Sequence, residues 1–261
     1  MSAALEPVIC FGQQPCGFFP KRFLVAKIET ARALQKETGG KIVFFYHDSD
    51  HDYRETITAM RDLQTNEIAR LNFTQENKIQ KKFSPLYAKR IPAGWKEEIL
   101  KQLPRFMEQK AIELFAKTSG ATAGEFCLNM YKGLGLLESV EVVPSGDPAV
   151  RERASDLEDD FFADVSYEDE IVRARSRNNG LTLHEGGERY ITLPPQAIEK
   201  KQKNPDRDQR FAWMQSVVNC THYILGEGEA EYLDITKFPA ITFIARKNIN
   251  EPELAWLPDY E

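Results

Sequence analysis

The chain has 261 residues, of which 42% are hydrophobic and 28% charged, and carries a net charge of -6. This suits a globular protein with a sizeable core and excludes a disordered or collagen-like chain. The acidic balance argues against a nucleic-acid partner, and no segment reaches the length of a membrane span. With no basic leader in the opening MSAALEPVIC, a cytoplasmic protein is expected.

The elements follow in chain order. A short apolar strand at 8–11 runs into a Gly/Gln-rich loop at 12–20. A helix is then marked by Leu24, Ile28, Ala31 and Leu34 at helical spacing and closed by Gly39-Gly40. The segment 41–46, KIVFFY, is apolar without alternation, as befits a parallel strand covered on both faces. Strand, loop, helix and strand make a βαβ unit, and the fold class is α/β. Residues 53–90 read as a polar helix-like run and a lysine-rich loop. Helices are expected at 92–117 and 122–133, and a strand at 136–143. Asp147-Pro148 is a helix start, with Asp as N-cap and Pro at the first helical position. Helical patterns resume at 149–163 and 168–177. A turn at Asn179-Gly180 precedes a hairpin of 181–184 and 189–193. A polar loop at 194–210 leads to a helix at 211–220, and a last strand covers 240–245. One domain is expected over 1–261, with insertions at about 60–130 and 165–210.

In such sheets ligands bind beyond the carboxyl ends of the strands, where the 12–20 loop and the cluster HDSDHD at 47–52 both fall. Asp48, Asp50 and Asp52 at alternate positions, with His47 and His51, suggest a divalent cation, but the calcium-loop glycine and closing glutamate are missing. His51 as a general base beside Asp50 and Asp52 is the competing reading, and a loop capped by aspartate the plain one. Gly12-Gln13-Gln14-Pro15-Cys16-Gly17 opens a helix and offers amides to an anion, although it is neither GxGxxG nor a P-loop. Gly226 and Gly228 would let backbone approach a ligand that Glu229 contacts. Arg210, Arg246 and Lys247 are candidate anion clamps. Cys10, Cys127 and Cys220 read as small buried apolar residues, with Cys16 set apart by its loop.

GQQPCGFFPKRFLVAK, IVFFYHDSDHDYRE, VVPSGDPAVRE, YILGEGEAEYL and ARKNI together resemble, in type and order, the bacillithiol biosynthesis cysteine-adding enzymes. The resemblance implies a Rossmann-like parallel sheet core related to class I aminoacyl-tRNA synthetases and pantothenate synthetase, with helical and hairpin insertions. It implies a ligase joining the carboxyl of cysteine to the amine of glucosaminyl malate, with ATP as activating cosubstrate and no metal. Asp50, His51 and Asp52 would be the catalytic positions. Gly12, Gln13, Gln14, Gly17, Ser145, Gly146, Asp147, Arg210, Gly226, Gly228, Glu229, Arg246 and Asn248 would bind substrate or nucleotide. His47 and Asp48 have no counterpart and are expected to be solvated neighbours. Ser49 stands where the family has an acid, Cys16 where it has glycine, and Glu227 where it has proline. The family's N-terminal helical extension and C-terminal coiled coil, with its dimer-forming element, have no counterpart in this sequence. A synthetase-like or nucleotidyltransferase enzyme on another acid and amine, or a non-catalytic binder, are the alternatives.

Overall fold

The apolar runs at 8–13 and 41–46 are buried on both faces because alternate side chains serve two cores. In the computed structural model, which describes residues 6–62, 64–75, 77–177 and 180–258, Ile9, Phe11, Ile42, Phe44 and Tyr46 enter one apolar cluster. Cys10, Val43 and Phe45 enter the other. Neither strand has a solvent face, so no hydrophobic alternation is visible in the sequence.

The strands are β1 (Val8–Gln13), β2 (Lys41–Tyr46), β3 (Thr58–Arg61), β4 (Ile68–Leu71), β5 (Val140–Pro144), β6 (Phe162–Tyr167), β7 (Glu170–Arg177), β8 (Gly180–Gly186), β9 (Arg189–Leu193), β10 (Lys203–Asn204), β11 (His222–Leu225) and β12 (Thr242–Ala245). The helices are α1 (Arg22–Thr38), α2 (Lys78–Phe83), α3 (Trp95–Gln102), α4 (Gln109–Lys117), α5 (Ala123–Gly133), α6 (Pro148–Arg153), α7 (Arg210–Val218) and α8 (Glu227–Tyr232). A five-stranded sheet in the order β12-β11-β1-β2-β5 is parallel throughout. The chain builds outward from β1 through β2 to β5, then returns to the other side of β1 with β11 and β12. The order therefore reverses between β1 and β11, and a crevice opens at their carboxyl ends.

Helix α1 packs Leu24, Ile28 and Ala31 on one face of this sheet, joined by residues of α3, α4 and α5. The other face is covered by α6, α7 and a second sheet, β10-β6-β7-β8-β9, whose paired strands are antiparallel. Trp213 and Met214 of α7 meet Phe45 and Cys10 in this layer.

Several expected elements differ. The lysine-rich loop contains α2, capped by the Asn77 side chain and docked through Gln80 onto buried Glu170. The hairpin of β3 and β4 replaces the polar helix-like run. The helix expected at 149–163 ends at Arg153, and 162–167 is a strand. Residues 170–177 are β7, not a helix. Glu168 and Asp169 both have positive φ, 47° and 60°, and make the tight turn into it. The strand expected at 136–143 is β5, which starts at Val140, and 200–204 adds a short helical turn and β10. The expected 181–193 hairpin, α7 and the Asp147-Pro148 helix start are present. The turn expected at Asn179-Gly180 lies partly outside the described residues. No helix among the described residues is long and apolar enough to cross a membrane.

Candidate functional site

The crevice between β1 and β11 has two compartments. The first is lined by Gly12, Gln13, Gln14, His47, Arg207, Arg210, Phe211, Met214, Tyr223, Glu229, Tyr232 and Leu233. The second is lined by Gln13, Gln14, Phe23, Lys27, Gly226, Gly228, Tyr232 and Arg246 together with four carboxylates, Glu55, Glu227, Glu229 and Glu253. A shallower depression beside them holds Gln14 with Asp50, His51 and Asp52. Gln14 is common to all three, and its amide donates to Asp50 Oδ2.

Asp50 is the electrostatic centre of the rim. Arg210 Nη2 lies 3.2 Å from Oδ2 and Arg173 Nη1 3.6 Å from Oδ1. The amides of His51 and Asp52 donate to Oδ1 at 2.7 and 3.2 Å. Burial pushes the carboxyl up, but the two guanidinium groups and the local N–H donors outweigh it and hold the pKa well below the usual carboxylate range. Asp50 is thus a fixed negative charge rather than an acid or base. Asp52 is spent at the surface on Arg54, which grips both its oxygens. His51 lies 3.6 Å from Asp50 through Nδ1 and is half-exposed. Burial, then Arg173, lower its pKa to about 4, so the ring is neutral near pH 7.

The alternate aspartates face three different partners. Asp48 is buried and accepts from Gly146 N at 2.7 Å and Ser145 Oγ at 3.3 Å. Burial raises its carboxyl to about 6. The expectation of a solvated Asp48 and His47 is therefore overturned, since both are 8% exposed. Among the described residues no three His, Cys, Asp or Glu side chains converge as metal ligands would.

In the Ser145-Gly146-Asp147 turn the first two residues are buried and the third is exposed, and none of them lines the two compartments of the crevice. Ser145 Oγ lies 2.8 Å from Ser49 Oγ, Gly146 leans on Asp48, and Asp147 caps α6. The turn thereby fixes the Asp48-Ser49 approach to Asp50. Gly17 is likewise a turn residue, with φ 94° and its carbonyl accepting from Tyr131. Cys16 is fully buried, not set apart in an open loop, and its thiol is pushed up to about 11 by burial. The anion site expected where the loop opens α1 is absent for a specific reason. The first helical amides, of Arg22 and Phe23, donate to the carbonyls of Leu254 and Pro252.

On the far wall, Glu229 accepts from Lys27 Nζ, from Tyr223 at 2.7 Å and from Gly226 N at 2.9 Å. Arg246 is buried and donates to Glu227 at 2.8 Å. Asn248 is exposed beyond β12. Gly12 is required for close approach, because a Cβ there would sit 2.8 Å from both His47 Nε2 and the Tyr223 hydroxyl.

Residues missed from the sequence are Lys27, Lys89, Arg173, Arg207, Tyr223 and Tyr232, and His47, expected as a solvated neighbour, instead lines the first compartment. Lys27 had one legible signal: a lysine interrupting the apolar stripe of α1 between Leu24 and Ile28. Lys89 is buried, and its ammonium donates to the carbonyls of His51 at 2.8 Å and Ser84 at 2.6 Å. Burial lowers its pKa to about 7. The amides of Tyr87 and Leu86 bind the carbonyls of Asp48 and Asp50, so one segment clamps the whole cluster from below.

No family model matches the chain, and no curated protein matches it significantly.

Proposed function

We propose that this chain is a ligase-type enzyme that joins the carboxyl of a small acid to an amine, with cysteine and glucosaminyl malate as the pair indicated by its resemblance to cysteine-adding enzymes. The observation that carries the reading is Gln14. It joins two compartments at the point where strand order reverses and bonds to the Asp50 that anchors His51. Two neighbouring compartments meeting at one polar side chain are what condensation of two substrates requires.

Amide formation from a free acid requires that a carboxyl oxygen leave, and ATP when bound would supply that activation. The second compartment suits a nucleotide. Gly226 and Gly228 allow backbone approach, Phe23 and Tyr232 offer aromatic surface, and the Arg246 guanidinium, shared with Glu227, lies in the wall, whereas Lys27 is committed to Glu229, the Gly12 carbonyl and Gln13. Arg210, held by ionised Asp50, stabilises negative charge on the acid. His51, neutral at physiological pH, accepts a proton from the attacking amine as the C–N bond forms. The parallel sheet with its site at the strand-order reversal supports kinship with the cores of class I aminoacyl-tRNA synthetases and pantothenate synthetase.

A second reading, the same or nucleotidyl-transfer chemistry on a different acid and amine, is favoured by Ser49. Its hydroxyl is committed to Ser145, so the rim lacks the acidic group that the cysteine-adding enzymes carry there.

Protein incubated with cysteine, glucosaminyl malate and ATP should yield a new thiol by mass spectrometry, and His51→Ala should abolish it without unfolding the chain. No product from the wild-type protein rejects the cysteine–glucosaminyl malate pair. Nucleotide binding without that product favours the second reading.

A further inference from the structure

His47 is the one polar side chain of the first compartment that is both buried and without a hydrogen-bond partner among the described residues. It is 8% exposed, its ring packs edge-on to Phe45 at 5.0 Å, and its Nε2 lies directly over Gly12. No described residue hydrogen-bonds the ring. Burial, then the charge of Arg210, lowers its pKa well below the usual value, so the imidazole is neutral and offers one donor and one acceptor. The ring nitrogens are open to the cleft and have no partner among the described residues, so they are free to bond a ligand that displaces water there.

The surrounding wall specifies that ligand. Arg207 stands over the Tyr232 ring at 5.1 Å, and Arg210 spends only Nη2 on Asp50, leaving guanidinium edges for a carboxylate. Glu229 on the opposite side has Oε2 taken by Lys27 and Gly226 N, but Oε1 accepts only from Tyr223 among the described residues and keeps a lone pair for an ammonium group, and Phe211 and Met214 offer apolar contact for a short carbon body.

We infer that the first compartment binds a small α-amino acid, and that His47 sets its specificity by hydrogen-bonding a hydroxyl or thiol on the β-carbon. Arg207 and Arg210 take the carboxylate. The inference rests on the acid-and-amine reading only in taking this cleft as a substrate site, and it is tested by binding rather than turnover.

Isothermal titration calorimetry with L-alanine, L-serine and L-cysteine separates the contributions. Serine or cysteine should bind the wild-type protein about tenfold more tightly than alanine, the worth of one hydrogen bond to a group that otherwise bonds only water. His47→Phe should erase the difference while leaving alanine affinity within about threefold, because the apolar body and carboxylate contacts stay. His47→Gln, which restores a donor and an acceptor, should keep it. The wild-type comparison needs no variant and so stands even if His47→Phe fails to fold. Equal affinity for alanine and serine, no binding of any of the three acids, or an undiminished preference in His47→Phe would overturn the inference. An intact preference with no thiol product upholds it while counting against the ligase reading.

Discussion

Replacing Asp50 with alanine is the most informative perturbation of the rim. The carboxylate faces Arg210 at 3.2 Å and Arg173 at 3.6 Å, and their side chains are 22% and 3% exposed. Each contact is worth about 4 kcal/mol gross at the effective dielectric of a protein surface. Much of that is offset by the desolvation of the carboxylate itself, so the sum is not the stability lost. What remains after truncation is a buried Arg173 without its ion-pair partner and with only the more distant Asp164 to offset its charge, together with the released amides of His51 and Asp52. Breaking a buried pair from one side costs about 3–5 kcal/mol. Because Arg210 still reaches water, we expect the lower end, about 3 kcal/mol, or roughly 6–12 °C in Tm for a chain of this size. Asp50→Asn keeps an acceptor for the two amides and loses only the charge, for about 2 kcal/mol. The decisive variant combines Asp50→Ala with Arg173→Met, which removes both charges and should recover at least half of the loss. Urea titration of the wild-type protein and the three variants measures this, provided the slope is unchanged. A loss below about 1 kcal/mol, or a double variant no better than Asp50→Ala, would refute the account of Asp50 as charge anchor.

Lys89 gives a pH test. Its pKa falls from 10.5 in the unfolded chain to about 7 in the folded one, so between these values the unfolded chain binds more protons and stability rises with pH. Lys89→Met should flatten that rise in urea midpoints taken from pH 7 to 10, and an unchanged slope would contradict the burial of its ammonium. Gly12→Ala should cost about 1–3 kcal/mol by overpacking, since β1 is flanked by strands on both sides and cannot yield to the new methyl. It should also abolish amino-acid binding, and a thermal-shift assay with and without ligand would show either effect missing.

The βαβ start and the carboxyl-end position of both polar loops were legible because local pattern decides them: 41–46 is apolar at every position but the first, and Gly39-Gly40 stops the helix before it. The second layer was not legible. In β7 the usual order is inverted, with Ile171 exposed and Arg173 buried, because Arg173 is needed under Asp50. Its leading turn uses Glu168 and Asp169 at positive φ where glycine or asparagine is the ordinary signal. Within the site, Asp50 and His51 stood out as charge at a strand end. Whether such a group is a base or an anchor depends on what faces it, and Arg173 and Arg210 lie more than 120 residues away in sequence. His47 looked like a loop residue because nothing local reveals that α7 and Tyr223 close over it.

The two walls of the crevice also come from opposite parts of the chain. Ile9 on β1 is paired with His222 on β11, and Glu229 and Arg210 reach the cleft only with that late segment. The first 200 residues contain β1, β2 and β5 but not β11, so a sheet built from them alone would leave one edge of β1 unpaired. That edge is a docking invitation to any other extended chain until β11 emerges. Such long-range closure makes folding slow relative to helical proteins of this size. It also places the crevice among the last features to form, because its second wall, with Arg210 and Glu229, is absent until the late segment is present.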